Sequence, residues 1–143
     1  MVYVDTSVVV ALLTVEPSTE AVTAWFSELE KPLVSSDWLV TEFSSALSIK
    51  VRTGQLTEST AKVVHREFQA LISGGLRLVP VSRMAFKGAA EMAQSYKHGL
   101  RSGDSLHLAV AREIGAETIA TLDKVMIKNA ERLKMATVRF REE

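Results

Sequence analysis

The sequence predicts an α/β domain with a mainly parallel five-stranded sheet flanked by helices. Three observations predict it. Short runs of β-branched and aliphatic residues recur along the chain; longer stretches with apolar residues at helical spacing lie between them; and the junctions are short and polar, as at Glu16-Pro17-Ser18, Glu30-Lys31-Pro32 and Ser73-Gly74-Gly75. Strands that alternate with helices pair in parallel, because each helix carries the chain back along the sheet.

Val2-Tyr3-Val4 is the first candidate strand, and Ser7 to Leu13 follows as a helix. Ser18 is placed to cap a helix through Leu29, with Pro17 just outside it. Leu33-Val34-Ser35 reads as the second strand. Asp37 to Thr53 reads as a helix closed by Gly54, which tolerates the left-handed stop. Thr57 caps the next helix, with Thr60 where the acid of a complete capping box would stand. Leu76 to Val81 is the third strand. Ser82 caps a helix running towards Lys97 and stopping before Gly99, and Ser102 caps another that ends at Gly115. Thr118 to Thr121 is the fourth strand, Lys124 to Leu133 a helix, and Ala136 to Phe140 the fifth strand.

At 143 residues and 47% hydrophobic, the chain suits one domain, read over 1–143, with a core of its own. It contains no cysteine, which excludes disulfides and thiolate metal sites and fits a reducing cytoplasm. The longest apolar run, Val8 to Leu13, is far short of a membrane span, and the residues after Met1 do not resemble a signal peptide. The formal net charge of zero argues against a protein that binds nucleic acid by charge alone. It leaves a nuclease open, since an acidic pocket cancels a basic rim in the sum.

Four acids occupy positions that need explaining. Asp5 directly follows the first strand and Asp123 the fourth, at the ends where open α/β sheets bind ligands. Each also reads as a helix N-cap. Glu42 lies at the edge of the apolar face formed by Leu39, Val40, Phe43, Ala46 and Leu47, where a carboxylate is costly to desolvate without a positive partner. Asp104 opens a helix that is apolar nearly all round, with Leu108, Ala111 and Gly115 stacked behind it. Its plain reading is a favourable charge in the first turn. Clustered carboxylates repel unless a cation lies among them. Hard oxygen donors, without cysteine or paired histidines, suit Mg²⁺ or Mn²⁺ rather than Zn²⁺. Such a site serves phosphoryl chemistry.

The same residues resemble a known family. Val2-Tyr3-Val4-Asp5-Thr6-Ser7 before an apolar helix looks like the opening of PIN domains. Thr41-Glu42-Phe43 resembles their second acidic motif, Arg101-Ser102-Gly103-Asp104-Ser105-Leu106-His107-Leu108-Ala109 the third, and Thr121-Leu122-Asp123 the fourth. At this length the chain looks most like the VapC toxins of toxin–antitoxin pairs. The resemblance implies a five-stranded parallel sheet between helices and an Mg²⁺- or Mn²⁺-dependent endoribonuclease. It implies that Asp5, Glu42, Asp104 and Asp123 surround the metal, with hydrogen bonds from Ser7, Thr6 and Thr121 in support. It also implies a homodimer and a cognate antitoxin whose tail enters the active-site groove. Val125 supplies no further acid beside Asp123, which counts against a second well-held metal.

Arg101, Lys50 and Lys124 are candidate RNA contacts, each also readable as a solvated surface cation; Arg52 and Lys128 stand beside them on the same terms. His107, without a second histidine nearby, reads as structural, and Trp25, Phe26, Trp38 and Phe43 read mostly as core. The alternative function is a PIN-like module kept for protein contacts. A haloacid-dehalogenase-type phosphatase would need a second Asp where Ser7 stands, and a receiver domain an Asp after the third strand, where Pro80-Val81-Ser82 stands.

Overall fold

A computed structural model describes residues 1–141 and contains the predicted alternation; residues 142–143 of the expected domain lie outside the described residues. In chain order the elements are β1 (Val2–Val4), α1 (Thr6–Leu13), α2 (Thr19–Glu28), β2 (Leu33–Ser36), α3 (Trp38–Arg52), α4 (Glu58–Gly74) and β3 (Leu76–Val79). There follow α5 (Arg83–Gln94), a 3-10 turn (Tyr96–His98), α6 (Ser102–Glu113), β4 (Thr118–Ala120), α7 (Lys124–Arg132) and β5 (Ala136–Thr137).

The strands stand in the order β3-β2-β1-β4-β5, and every pairing is parallel. The chain builds outward from β1 to β3 and then returns to the other side of β1. The order therefore switches between β1 and β4, which is where the crevice of such a sheet opens. Val4 is paired with Ala120, so both strands end at one level on that rim.

Both faces of the sheet are covered. Side chains alternate along a strand, so Val2 and Val4 point to one face and Tyr3 to the other. Val2 and Val4 join Val8, Val9, Val22, Leu39, Phe43 and Phe68 in a core under the first four helices. Phe43 and Phe68 stack there, 4.1 Å between ring centres. Tyr3 and Ile119 join Ala85, Ala89, Leu108, Val110 and Met126 in a second core under α5, α6 and α7. Burial on both faces is why the strand sequences are almost continuously apolar. Tyr3 of β1 and Ser35 and Ser36 of β2 are buried polar exceptions, and each must find a partner for its hydroxyl inside the protein.

Several element ends differ from the expectation, each for a local reason. Ser18 precedes α2 but already has helical dihedrals, and its side chain caps nothing. Thr19 closes that turn instead, accepting from the Glu16 amide at 2.8 Å and donating to the Thr14 carbonyl at 2.8 Å. Ser102 is the first helical residue of α6, and the extended cap position belongs to Arg101. The helix expected to run towards Lys97 stops at Gln94. A 3-10 turn follows, closed by Gly99 at φ 68° and held by a 3.0 Å bond from the Asn129 amide to the His98 carbonyl. β3 stops at Val79 rather than Val81, and β5 covers two residues where five were expected. Beyond β5 the chain packs through Phe140, edge-on to Trp25 at 5.4 Å. Among the described residues no helix is long and apolar enough to cross a membrane.

Candidate active site

Asp5 stands where β1 gives way to α1 and is 3% exposed. One oxygen accepts from Ser7 Oγ at 2.7 Å and from the Val8 amide at 3.3 Å, and the other accepts from Thr121 Oγ1 at 2.5 Å. A carboxylate has about four lone-pair positions, so one remains for a further ligand. Burial pushes its pKa up, and His107, Thr121 and Ser7 offset part of that rise. The two hydroxyls also tie down the neighbouring loop. Ser7 Oγ accepts from the Leu122 amide at 3.0 Å, and Thr121 Oγ1 accepts from the Asp123 amide at 3.1 Å. Asp123 itself caps α7 with a single oxygen, which accepts from the Val125 and Met126 amides. The cap and site readings of Asp5 and Asp123 are therefore compatible: capping leaves part of each carboxylate free.

Glu42 reaches the same rim from α3. Its Oε1 lies 2.6 Å from Thr6 Oγ1, which donates to it, and 2.5 Å from His107 Nε2. Burial acts to raise its pKa, but His107, Thr6 and the Trp38 indole outweigh it and hold the carboxyl below its ordinary range. Trp38 Nε1 is buried without a hydrogen-bond partner, so its contribution comes from the nearby N–H dipole rather than a formed bond. The other oxygen, Oε2, rests against Gly103 so closely that a Cβ there would lie 2.7 Å from it and 3.2 Å from Trp38 Nε1. Gly103 thus keeps open the space that Glu42 occupies beside Asp104.

Asp104, in the first turn of α6, is half-buried and accepts no side-chain or backbone hydrogen bond among the described residues. Burial, then the charges of Asp123, Asp5 and Glu42, push it up to about 6. The other three predicted acids therefore all act on Asp104. The four do not form a closed cage: among the described residues no three His, Cys, Asp or Glu side chains are grouped tightly enough to hold an ion. The donor set fits a hard divalent ion. It consists of carboxylate oxygens, each with free acceptor capacity, around a residue that has no donor of its own.

The PIN-domain family profile matches residues 2–132 of this chain. The chain belongs to the PIN-domain family. Comparison with curated proteins finds no sequence match. Among solved structures, this PIN domain is similar to VapC20 of Mycobacterium tuberculosis, described as a sarcin-ricin loop cleaving toxin. The identity is 17%, the TM-score 0.73, and the match covers 90% of this chain and 95% of that one. FitAcB of Neisseria gonorrhoeae is similar at 22% identity and TM-score 0.73, covering 97% of each chain. A toxin–antitoxin complex from Klebsiella pneumoniae is similar at 16% identity and TM-score 0.66, covering 100% of each chain. These likenesses establish a shared fold.

Of the five candidate RNA contacts, Lys50 does not stand as expected. It is 8% exposed, and its ammonium is held by Glu16 at 2.5 Å, with Gln55 at 3.4 Å. It pins the α1–α2 loop to α3 and offers little to a phosphate. Arg101 and Lys124 are exposed and make no ion pair among the described residues. A groove of about 710 Å³ lies away from the acids. It is lined by Leu12, Phe26, Leu29, Leu71 and Leu76 among others, and its character is apolar. A smaller recess of about 420 Å³ has Thr6, Ser7, Glu16, Pro17, Ala46 and Leu122 in its wall, and its lining includes none of the four acids. Sequence reasoning missed the contacts of Tyr3, Ser36 and His107 and the role of Gly103. The one available signal was a polar ring, His107, on a helix otherwise apolar at its centre.

Proposed function

We propose that this PIN domain is an Mg²⁺- or Mn²⁺-dependent endoribonuclease that hydrolyses RNA phosphodiester bonds. The observation that carries the reading is Asp104: an acid without hydrogen-bond donors, raised to about 6 with three other carboxylates acting on it at the switch point of a parallel sheet. Asp5, Asp104 and Asp123 would hold the ion, and Glu42 would complete the set through Oε2, since Oε1 is already taken by Thr6 and His107. When bound, the ion supplies a Lewis acid for the attacked phosphate and lowers the pKa of a coordinated water.

The chain's own residues do the rest. Ser7 and Thr121 fix the Asp5 carboxylate while joining α1 to the β4–α7 loop. Glu42, ionised, can orient the attacking water and accept its proton. Arg101 and Lys124 provide exposed cations for the flanking phosphates, and the recess beside Thr6 and Ser7 gives room for an adjoining nucleotide.

The chain would act in the cytoplasm as the toxin of a toxin–antitoxin pair, as a homodimer held inactive by a cognate antitoxin. The support is the shared fold with a solved toxin–antitoxin complex. The test is to incubate partner-free protein with total cellular RNA and Mg²⁺ or Mn²⁺, with an EDTA control. Discrete fragments are expected that need the metal and fall on the order of a hundredfold or more in Asp5→Asn and Asp104→Asn. A folded protein that neither cleaves RNA nor binds either metal would instead be a non-catalytic interaction module.

A further inference from the structure

The ring of His107 has no part in the chemistry above, yet it touches Glu42 from a buried position. Its Nε2 lies 2.5 Å from Glu42 Oε1. An ionised Glu42 and a bare Nε2 could not approach so closely, so beside the carboxylate Nε2 carries a hydrogen and donates it. Its Nδ1 lies 2.7 Å from the Tyr3 hydroxyl, which lies 3.0 Å from Ser36 Oγ. His107 is 1% exposed, and Tyr3 and Ser36 are 0% exposed. The ring is thus anchored at its far nitrogen by side chains from β1 and β2, while its near nitrogen grips an oxygen presented by α3.

We propose that His107, backed by Tyr3 and Ser36, is a positioning residue for Glu42. By occupying Oε1 together with Thr6, it turns Oε2 towards Gly103 and Asp104 and fixes which oxygen faces the metal. The inference rests on the reading of the four acids as a metal site. It gives a function to a polar chain that would otherwise be an expensive way to fill a core. Partners one step behind a ligand commonly set its orientation, and their loss costs roughly 10- to 100-fold in metal affinity or activity.

The test uses the full chain. Mn²⁺ affinity is measured by calorimetry at one fixed pH for wild type, His107→Leu, His107→Gln and Tyr3→Phe, each checked for folding by thermal melting. Gln places an amide N–H near the Nε2 position; Leu removes the donor. Roughly tenfold weaker Mn²⁺ binding is expected in His107→Leu, with most of it recovered in His107→Gln and a partial loss in Tyr3→Phe. On RNA, kcat should fall in His107→Leu while KM stays near wild type. Should His107→Leu fail to fold, Tyr3→Phe and the wild-type imidazole ¹⁵N spectrum decide. The spectrum should show Nε2 protonated, with its N–H resonance moved in Glu42→Gln. The inference is overturned by an unprotonated Nε2, by wild-type Mn²⁺ affinity in folded His107→Leu, or by equal losses in the Leu and Gln variants. Wild-type protein that binds no Mn²⁺ would overturn the metal reading and this inference with it. Wild-type binding with an indifferent His107→Leu would overturn the inference alone.

Discussion

Asp104 is the residue at which the site's charge is least compensated, and that has a consequence for stability. Its ordinary value is 3.8, and in the fold burial and its acidic neighbours raise it to about 6. The folded state therefore binds this proton more tightly than the unfolded chain does. The associated stability is fully present below about pH 4 and is lost as pH rises through about 6. In EDTA, Asp104→Asn should remove this part of the pH dependence. It should melt higher than wild type at neutral pH while losing metal binding, the trade expected of a strained functional site. Melting curves from pH 4 to 8 check this; a wild-type profile identical to that of the variant would contradict it. Gly103 makes a second case. Alanine is the better helix former, but its methyl would meet Glu42 Oε2 and Trp38 Nε1 and force the carboxylate to shift. Gly103→Ala should change the melting temperature by only a few degrees yet slow RNA cleavage at least tenfold, as read by single-turnover rates. The acids were legible from sequence because each sits at a signalled end or on an apolar edge. Their partners were not: His107 is 65 residues from Glu42 and 104 from Tyr3, and nothing local joins them. Lys50 misled for the same reason, since Glu16 is 34 residues away.

At the scale of elements, the site is assembled from helix starts. Asp5 caps α1 and Asp123 caps α7, while Asp104 lies in the first turn of α6. Helix N-termini favour negative charge, so the fold tolerates acids there before any metal arrives. This dual role can be separated at Asp123. Asn caps a helix about as well as Asp, and Ala does not, at a cost of about 1 kcal/mol. Asp123→Asn should keep the wild-type melting temperature and lose activity; Asp123→Ala should lose both. If Asn cleaved RNA as fast as wild type, Asp123 would be a cap and nothing more. The helices were readable from apolar spacing, and the caps at Thr57 and Ser82 from their hydroxyls. The capping of α2 and α6 was not readable, because backbone dihedrals decided against Ser18 and Ser102. The 3-10 turn before α6 depends on Asn129, 31 residues on, and so left no local signal.

Across the whole molecule, topology brings these helix starts together. β1 and β4 are neighbours although more than a hundred residues separate them, and their paired ends at Val4 and Ala120 place Asp5 near Thr121 and Asp123. The alternation of strand and helix was enough to predict a parallel sheet. Strand order needs the register of pairs distant in sequence, which no local signal in the chain conveys. The central claim is that this rim holds one divalent ion among Asp5, Glu42, Asp104 and Asp123. The most direct measurement is anomalous diffraction from a crystal soaked in Mn²⁺ at neutral pH. The account predicts one strong peak on the rim, bound by Asp5, Asp104 and Asp123 oxygens directly or through water, with the direct contacts at roughly 2 Å as for a hard divalent ion. No peak there in an otherwise well-ordered, Mn²⁺-saturated crystal, or a peak coordinated away from these carboxylates, would contradict it.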